Sequence, residues 1–122
     1  MSAILGIDHI QLAISPGGEA LARSFYCNVL GLDEIPKPEN LAKRGGAWFQ
    51  CGALQLHLGV EADFRPARKA HPALLVENLS HFVSALEREG FVIKNDEPLS
   101  GFNRIFTNDP FGNRVELMER QL

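Results

Sequence analysis

The 122-residue chain has only two cysteines. Cys27 falls in a helical pattern and Cys51 beside a turn glycine, so they form neither a CxxC pair nor a zinc-ribbon spacing, and both fit a reducing compartment. Long apolar runs are also missing, which excludes a bilayer-spanning helix. The first residues lead straight into a strand pattern without the charged and apolar regions of a secretory signal. A cytoplasmic location is the resulting expectation. The formal net charge is -3 with both signs scattered along the chain, and no block of one sign marks a nucleic-acid or membrane surface. What is present is one domain's worth of chain, long enough to bury a core without staples.

The stretch Phe102 to Glu119 organises the rest. Asp109-Pro110-Phe111-Gly112-Asn113 collects turn-forming residues between two strand-like runs. Alternation across the second run puts Arg114, Glu116 and Met118 on one face and Val115 and Leu117 on the other. Glu116 is thus a carboxylate inside an otherwise apolar hairpin.

Earlier in the chain, Gly6 to Ser15 alternates, with Ile10, Leu12 and Ile14 opposite His9, Gln11 and Ala13. Glu19 to Leu30 carries a helical stripe of Leu21, Ala22, Phe25 and Val29, with Gly31 as its stop. Leu32 to Ile35 reads as a short strand ended by Pro36. In Gly45 to Gly59, a two-residue turn at Gly52-Ala53 would pair Cys51 with Leu54, Gln50 with Gln55, Phe49 with Leu56 and Trp48 with His57. Val60 to Lys69 has no period and reads as a connection. Ala70 to Glu77 is a strand with Leu74 and Val76 opposite His71, Ala73 and Leu75. Asn78 is placed to cap a helix over Leu79 to Glu89, closed by Gly90. Phe91 to Lys94 reads as a short strand.

The order strand, helix, strand, hairpin therefore occurs twice. His9 and His57 are 48 positions apart and His71 and Glu116 are 45 apart, each pair running from the first to the last strand of a half. Duplication of one such unit predicts an α+β protein with two curled mixed sheets and helices on their outer faces. The expected layout is a single domain, 1–122, with module one over about 1–60, a linker over about 60–69 and module two over about 70–122. If the aliphatic faces pack under the helices, His9, His57, His71 and Glu116 line a shared concavity. Imidazole and carboxylate are the usual ligands of zinc, nickel, cobalt, manganese or ferrous iron. His81, near the start of the second helix and off that face, reads as a surface histidine.

The repeated layout, with DHIQLAI, QLHLG, AHPALLVENL and NDPFGNRVELME, resembles the vicinal oxygen chelate superfamily over almost the whole chain. That superfamily includes glyoxalase I, fosfomycin-resistance transferases, methylmalonyl-CoA epimerase, extradiol dioxygenases and bleomycin-resistance proteins. The resemblance implies two βαβββ modules and a homodimer whose sites can draw a ligand pair from each chain. It places metal ligands at His9, His57, His71 and Glu116, with Glu116 also a candidate base. Bacterial glyoxalase I typically carries a carboxylate where this chain has His57, so a two-carboxylate isomerisation lacks its second member here. Fosfomycin transferases match His9, His71 and Glu116 as a triad.

Gln11, Trp48, Gln50, Gln55 and Arg114 are candidate substrate-pocket residues, Trp48 as an apolar platform. Arg65, Arg68 and Lys69 form a basic cluster on the linker. The leading expectation is a divalent-metal-dependent enzyme chelating neighbouring oxygens of a small substrate, with lyase, isomerase, dioxygenase and thiol-transfer chemistry all open. The alternative is a metal-free binding or antibiotic-sequestration protein of the bleomycin-resistance type.

Overall fold

A computed structural model describes residues 1–122. Strands β1 (His9–Ile14), β2 (Asp33–Ile35), β3 (Ala47–Cys51) and β4 (Leu54–Val60) form one sheet in the order β1-β4-β3-β2. Strands β5 (Ala73–Leu75), β6 (Phe102–Asn108) and β7 (Arg114–Arg120) form the other, in the order β5-β7-β6. In each sheet the first strand of the module runs parallel to the last, and the hairpin is antiparallel. This is the duplicated α+β architecture that the two-fold pattern implied.

The hairpin register follows from its turn. Gly52 takes φ of 58°, a conformation that costs glycine little, and the four expected pairs form from Cys51–Leu54 to Trp48–His57. Helix α1 (Glu19–Arg23) passes into a π-helical turn, Ser24–Val29, where Leu30 N–H donates to the Phe25 carbonyl. Helix α3 (Leu79–Arg88) is capped by Asn78, whose side chain accepts from the His81 amide. The side chain of Glu119 on β7 accepts from Leu79 N–H at 2.9 Å, tying that helix start to the sheet.

Three elements differ from expectation. The run Phe91 to Lys94 contributes only a bridge between Lys94 and Phe106, because the chain leaving Gly90 meets β6 at that one residue. The strand expected over Ala70 to Glu77 narrows to three residues after Pro72, which has no N–H to give to a ladder. A short helix α2 (Glu39–Ala42) sits in the charged loop, where the Pro38 carbonyl accepts from Leu41 and Ala42.

The core joins both modules. Ile14, Phe25, Tyr26, Phe49, Leu56, Leu58, Leu86, Val115 and Leu117 are all buried in one cluster. Each such side chain contributes about 1.5–3 kcal/mol through removal from water. Phe25 meets Phe91 edge-on at 4.9 Å. The DPFGN turn adds a polar clasp. Buried Asp109 accepts from Tyr26 Oη at 2.7 Å and from the amides of Phe111 and Asn113, while Asn113 Nδ2 donates to the Ala13 carbonyl of β1. The aliphatic faces of both sheets are thereby committed to one interior, and the opposite faces are left for chemistry.

Candidate metal centre

His71 leads into β5, and Glu116 lies on β7 with its residue backbone bonded to Pro72. His71 Nε2 stands 3.0 Å from Glu116 Oε1, and His71 Nδ1 stands 2.9 Å from the Lys69 carbonyl. A neutral imidazole has one N–H, so it cannot satisfy both acceptors. Either a second proton or a cation is required at the His71–Glu116 contact. Two neighbouring ligands of an ion bound at about 2.1 Å are themselves about 3 Å apart at right angles, the separation found here.

The other oxygen of Glu116 faces Arg104, whose Nη1 donates at 3.2 Å. Arg104 Nη2 donates to the Glu97 carbonyl at 2.6 Å, while its buried Nε has no partner. With a side chain only 7% exposed, Glu116 needs such a counter-charge. Sequence reasoning passed over Arg104. Its alternation reads as an ordinary polar strand position, and only the register pairing Arg104 with Met118 and Phe106 with Glu116 brings it to the carboxylate.

In module one, His9 stacks on His57 with ring centroids 4.0 Å apart, and His57 stacks on Trp48 at 3.9 Å. His9 Nδ1 lies 3.0 Å from Asp8 Oδ2, which leaves Nε2 free as a donor of electrons. His57 Nε2 instead faces Gln55 Oε1 at 2.9 Å. Burial, followed by the neighbouring His9, lowers the His57 pKa and favours its neutral ring. His9 and His71 therefore both have Nδ1 anchored, which leaves Nε2 of His9 free and turns Nε2 of His71 to Glu116. His57 does not.

The structure brings the four candidate ligands together as two pairs. Within one chain, no group of three or more His, Cys, Asp or Glu side chains is arranged to hold an ion. The donor types fit a divalent metal, and each pair by itself is an incomplete shell. Of the candidate pocket residues, Gln11 pairs with His57 across β1 and β4, and Trp48 and Gln55 contact the His57 ring directly. Gln50 turns away, its amide donating to the Gly52 and Leu54 carbonyls of the hairpin turn. Arg114 lies over the Phe106 ring at 3.9 Å and pairs with Asp96 rather than Glu116. Arg65 and His71 border a cavity of about 300 Å³ beside β1, and Arg68 borders another beside β6. His81 is exposed, as its sequence position implied.

The model of the glyoxalase/bleomycin resistance protein/dioxygenase superfamily matches residues 6–117. The chain belongs to that superfamily. A glyoxalase family protein of Bacillus anthracis is 45% identical, with 99% of each chain covered and a TM-score of 0.93. A mutant of the fosfomycin resistance protein FosX from Listeria monocytogenes, complexed with Mn(II) and 1S,2S-dihydroxypropylphosphonic acid, is 17% identical. Its TM-score is 0.81, covering 98% of this chain and 95% of that one. An integron cassette protein of Vibrio cholerae, 20% identical, superposes with a TM-score of 0.75 over 99% of each chain. At these low identities the likeness is one of fold. No curated protein matches the chain. No helix is long and apolar enough to cross a membrane.

Proposed function

We propose that this superfamily member is a divalent-metal-dependent enzyme acting on a small substrate through two neighbouring oxygens. The observation that carries the reading is the 3.0 Å approach of His71 Nε2 to Glu116 Oε1 while Nδ1 is held by a carbonyl. His9, His71 and Glu116 are the ligands, and a second copy of the chain brings its His9 to the His71–Glu116 pair. His57 is a wall: it packs against the His9 ring and fixes its plane. A bound divalent ion would polarise the substrate oxygens and leave positions open for them.

The chain's own residues do the rest. Lys69 and Asp8 fix the imidazole tautomers, and the buried His57 ring, stacked on Trp48, backs the His9 ring. Arg104 holds one oxygen of Glu116, so the other is the one available as ligand or as proton acceptor. Manganese is the ion with which a relative of this fold was crystallised; zinc, nickel, cobalt and ferrous iron suit the same donors.

Mn(II) titration followed by electron paramagnetic resonance tests the reading. Wild type is expected to take up the ion, and His71→Ala and Glu116→Ala to bind it about a hundredfold more weakly. Mixing His9→Ala chains with Glu116→Ala chains should restore part of the uptake if two copies complete the shell. A wild-type chain with no divalent-ion affinity ends the metal reading and leaves ligand sequestration.

A further inference from the structure

Strand register fixes which side chains stand together on the open face of module two. Lys94 bridges to Phe106, and Phe106 pairs with Glu116. Directly opposed residues project from the same side of a sheet, and Arg104 and Arg114 lie two positions along from those partners. Three cations therefore share a face with one carboxylate. Arg104 is committed to Glu116, whereas Arg114 has only Asp96, at 3.8 Å and nearly half exposed. Lys94 and Arg68 take part in none of the ion pairs of the chain.

Between these groups lies a cavity of about 550 Å³ bordered by Arg68, Lys94, Asp96, Phe106, Asn108 and Arg114. The linker reaches it because it is stitched to the DPFGN turn. The Ala67 carbonyl accepts from Arg114 N–H at 3.0 Å, Ala67 N–H donates to Asn113 Oδ1 at 3.2 Å, and Pro66 packs against Gly112, where a Cβ would come within 3.3 Å of it. Arg68 is thus held at the rim by its neighbours' backbone bonds. Three cations against one carboxylate give this cavity a positive surplus in a chain whose net charge is -3. Phe106, which forms its inner wall, meets the His71 ring edge-on at 5.1 Å. The cavity is one side chain away from the His71–Glu116 pair.

We propose that this cavity binds an oxyanion, a carboxylate or phosphoryl group, carried by the substrate whose neighbouring oxygens are handled at His71 and Glu116. The link to catalysis rests on the metal reading above; the anion site does not. Arg114 lies over the Phe106 ring at 3.9 Å, its guanidinium being a group able to contact an oxyanion at two points, and Lys94 and Arg68 add point charges at the rim.

The test is calorimetric titration of inorganic phosphate and of malonate into metal-free protein at constant ionic strength. Lys94→Ala/Arg114→Met and Arg120→Ala are compared with wild type, the last being a cation at the exposed end of β7. Saturable binding is expected in wild type and Arg120→Ala, and at least about tenfold weaker in the double variant. Preference for phosphate identifies a phosphoryl ligand, and preference for malonate a carboxylate. If the double variant melts early, the exposed single variant Lys94→Ala must still weaken binding without lowering the melting temperature. No saturable binding, or equal affinity in wild type, Lys94→Ala and the double variant, overturns the inference. Mn(II) uptake measured alongside separates the two ideas: uptake without an anion site refutes only the cavity, and an anion site without uptake refutes only the metal reading.

Discussion

The two modules share a strand order and differ in what their open faces carry. Module one presents an aromatic stack of Trp48, His57 and His9, held by ring contact and by the Gln55 amide. Module two presents Glu116 among Arg104, Arg114 and Lys94, held by charge. Alternation along a strand decides which residues face outward, and cross-strand neighbours decide what those residues can do. The same scaffold thereby yields an aromatic stack in one half and a cluster of charged side chains in the other.

The largest expected effect falls where the halves are joined. Asp109→Ala leaves the buried Tyr26 hydroxyl and the Asn113 amide without their acceptor. The loss should be about 3 kcal/mol or more in urea unfolding, with both modules melting together. A transition that splits, with module one retained, would show that the clasp belongs to module two alone.

Next comes the contrast in metal affinity. Glu116→Ala should weaken Mn(II) binding by about two orders of magnitude, and His57→Ala by about tenfold, the scale of a residue that orients a ligand. Equal losses would make His57 a ligand and restore the four-residue shell. Arg104→Met sharpens the point from the other side. Without the guanidinium on Oε2, Glu116 should bind Mn(II) several-fold more tightly while the metal-free protein loses stability, because the buried carboxylate then keeps only its His71 contact.

Much of this contrast was legible in the sequence. The Gly52-Ala53 turn set the first hairpin register, and alternation put His9, His57 and Glu116 opposite the aliphatic rows. What escaped depends on contacts far apart in the chain. Arg104 reaches Glu116 only through the register of a hairpin with a five-residue turn, and Gln50 is diverted by carbonyls two and four residues ahead. The π-helical turn after Arg23 has no local sequence signal, since its i to i+5 bond replaces a helical one without changing the apolar stripe. The basic linker cluster divides between two cavities because Arg65 and Arg68 flank Pro66, which packs on Gly112.

The smallest effect concerns pH, and it should appear in module one. His57 is buried and stacked on His9, so its folded pKa lies below its ordinary value. Its unfolded ring titrates at about 6.5. Between the folded and unfolded values the unfolded chain binds more protons than the native one, so unfolding free energy rises with pH across that window and falls as pH is lowered through it. Metal-free protein should therefore lose a fraction of a kcal/mol on acidification below about pH 6.5, and His57→Gln should remove that slope. A variant that keeps the whole slope would assign it to groups other than His57.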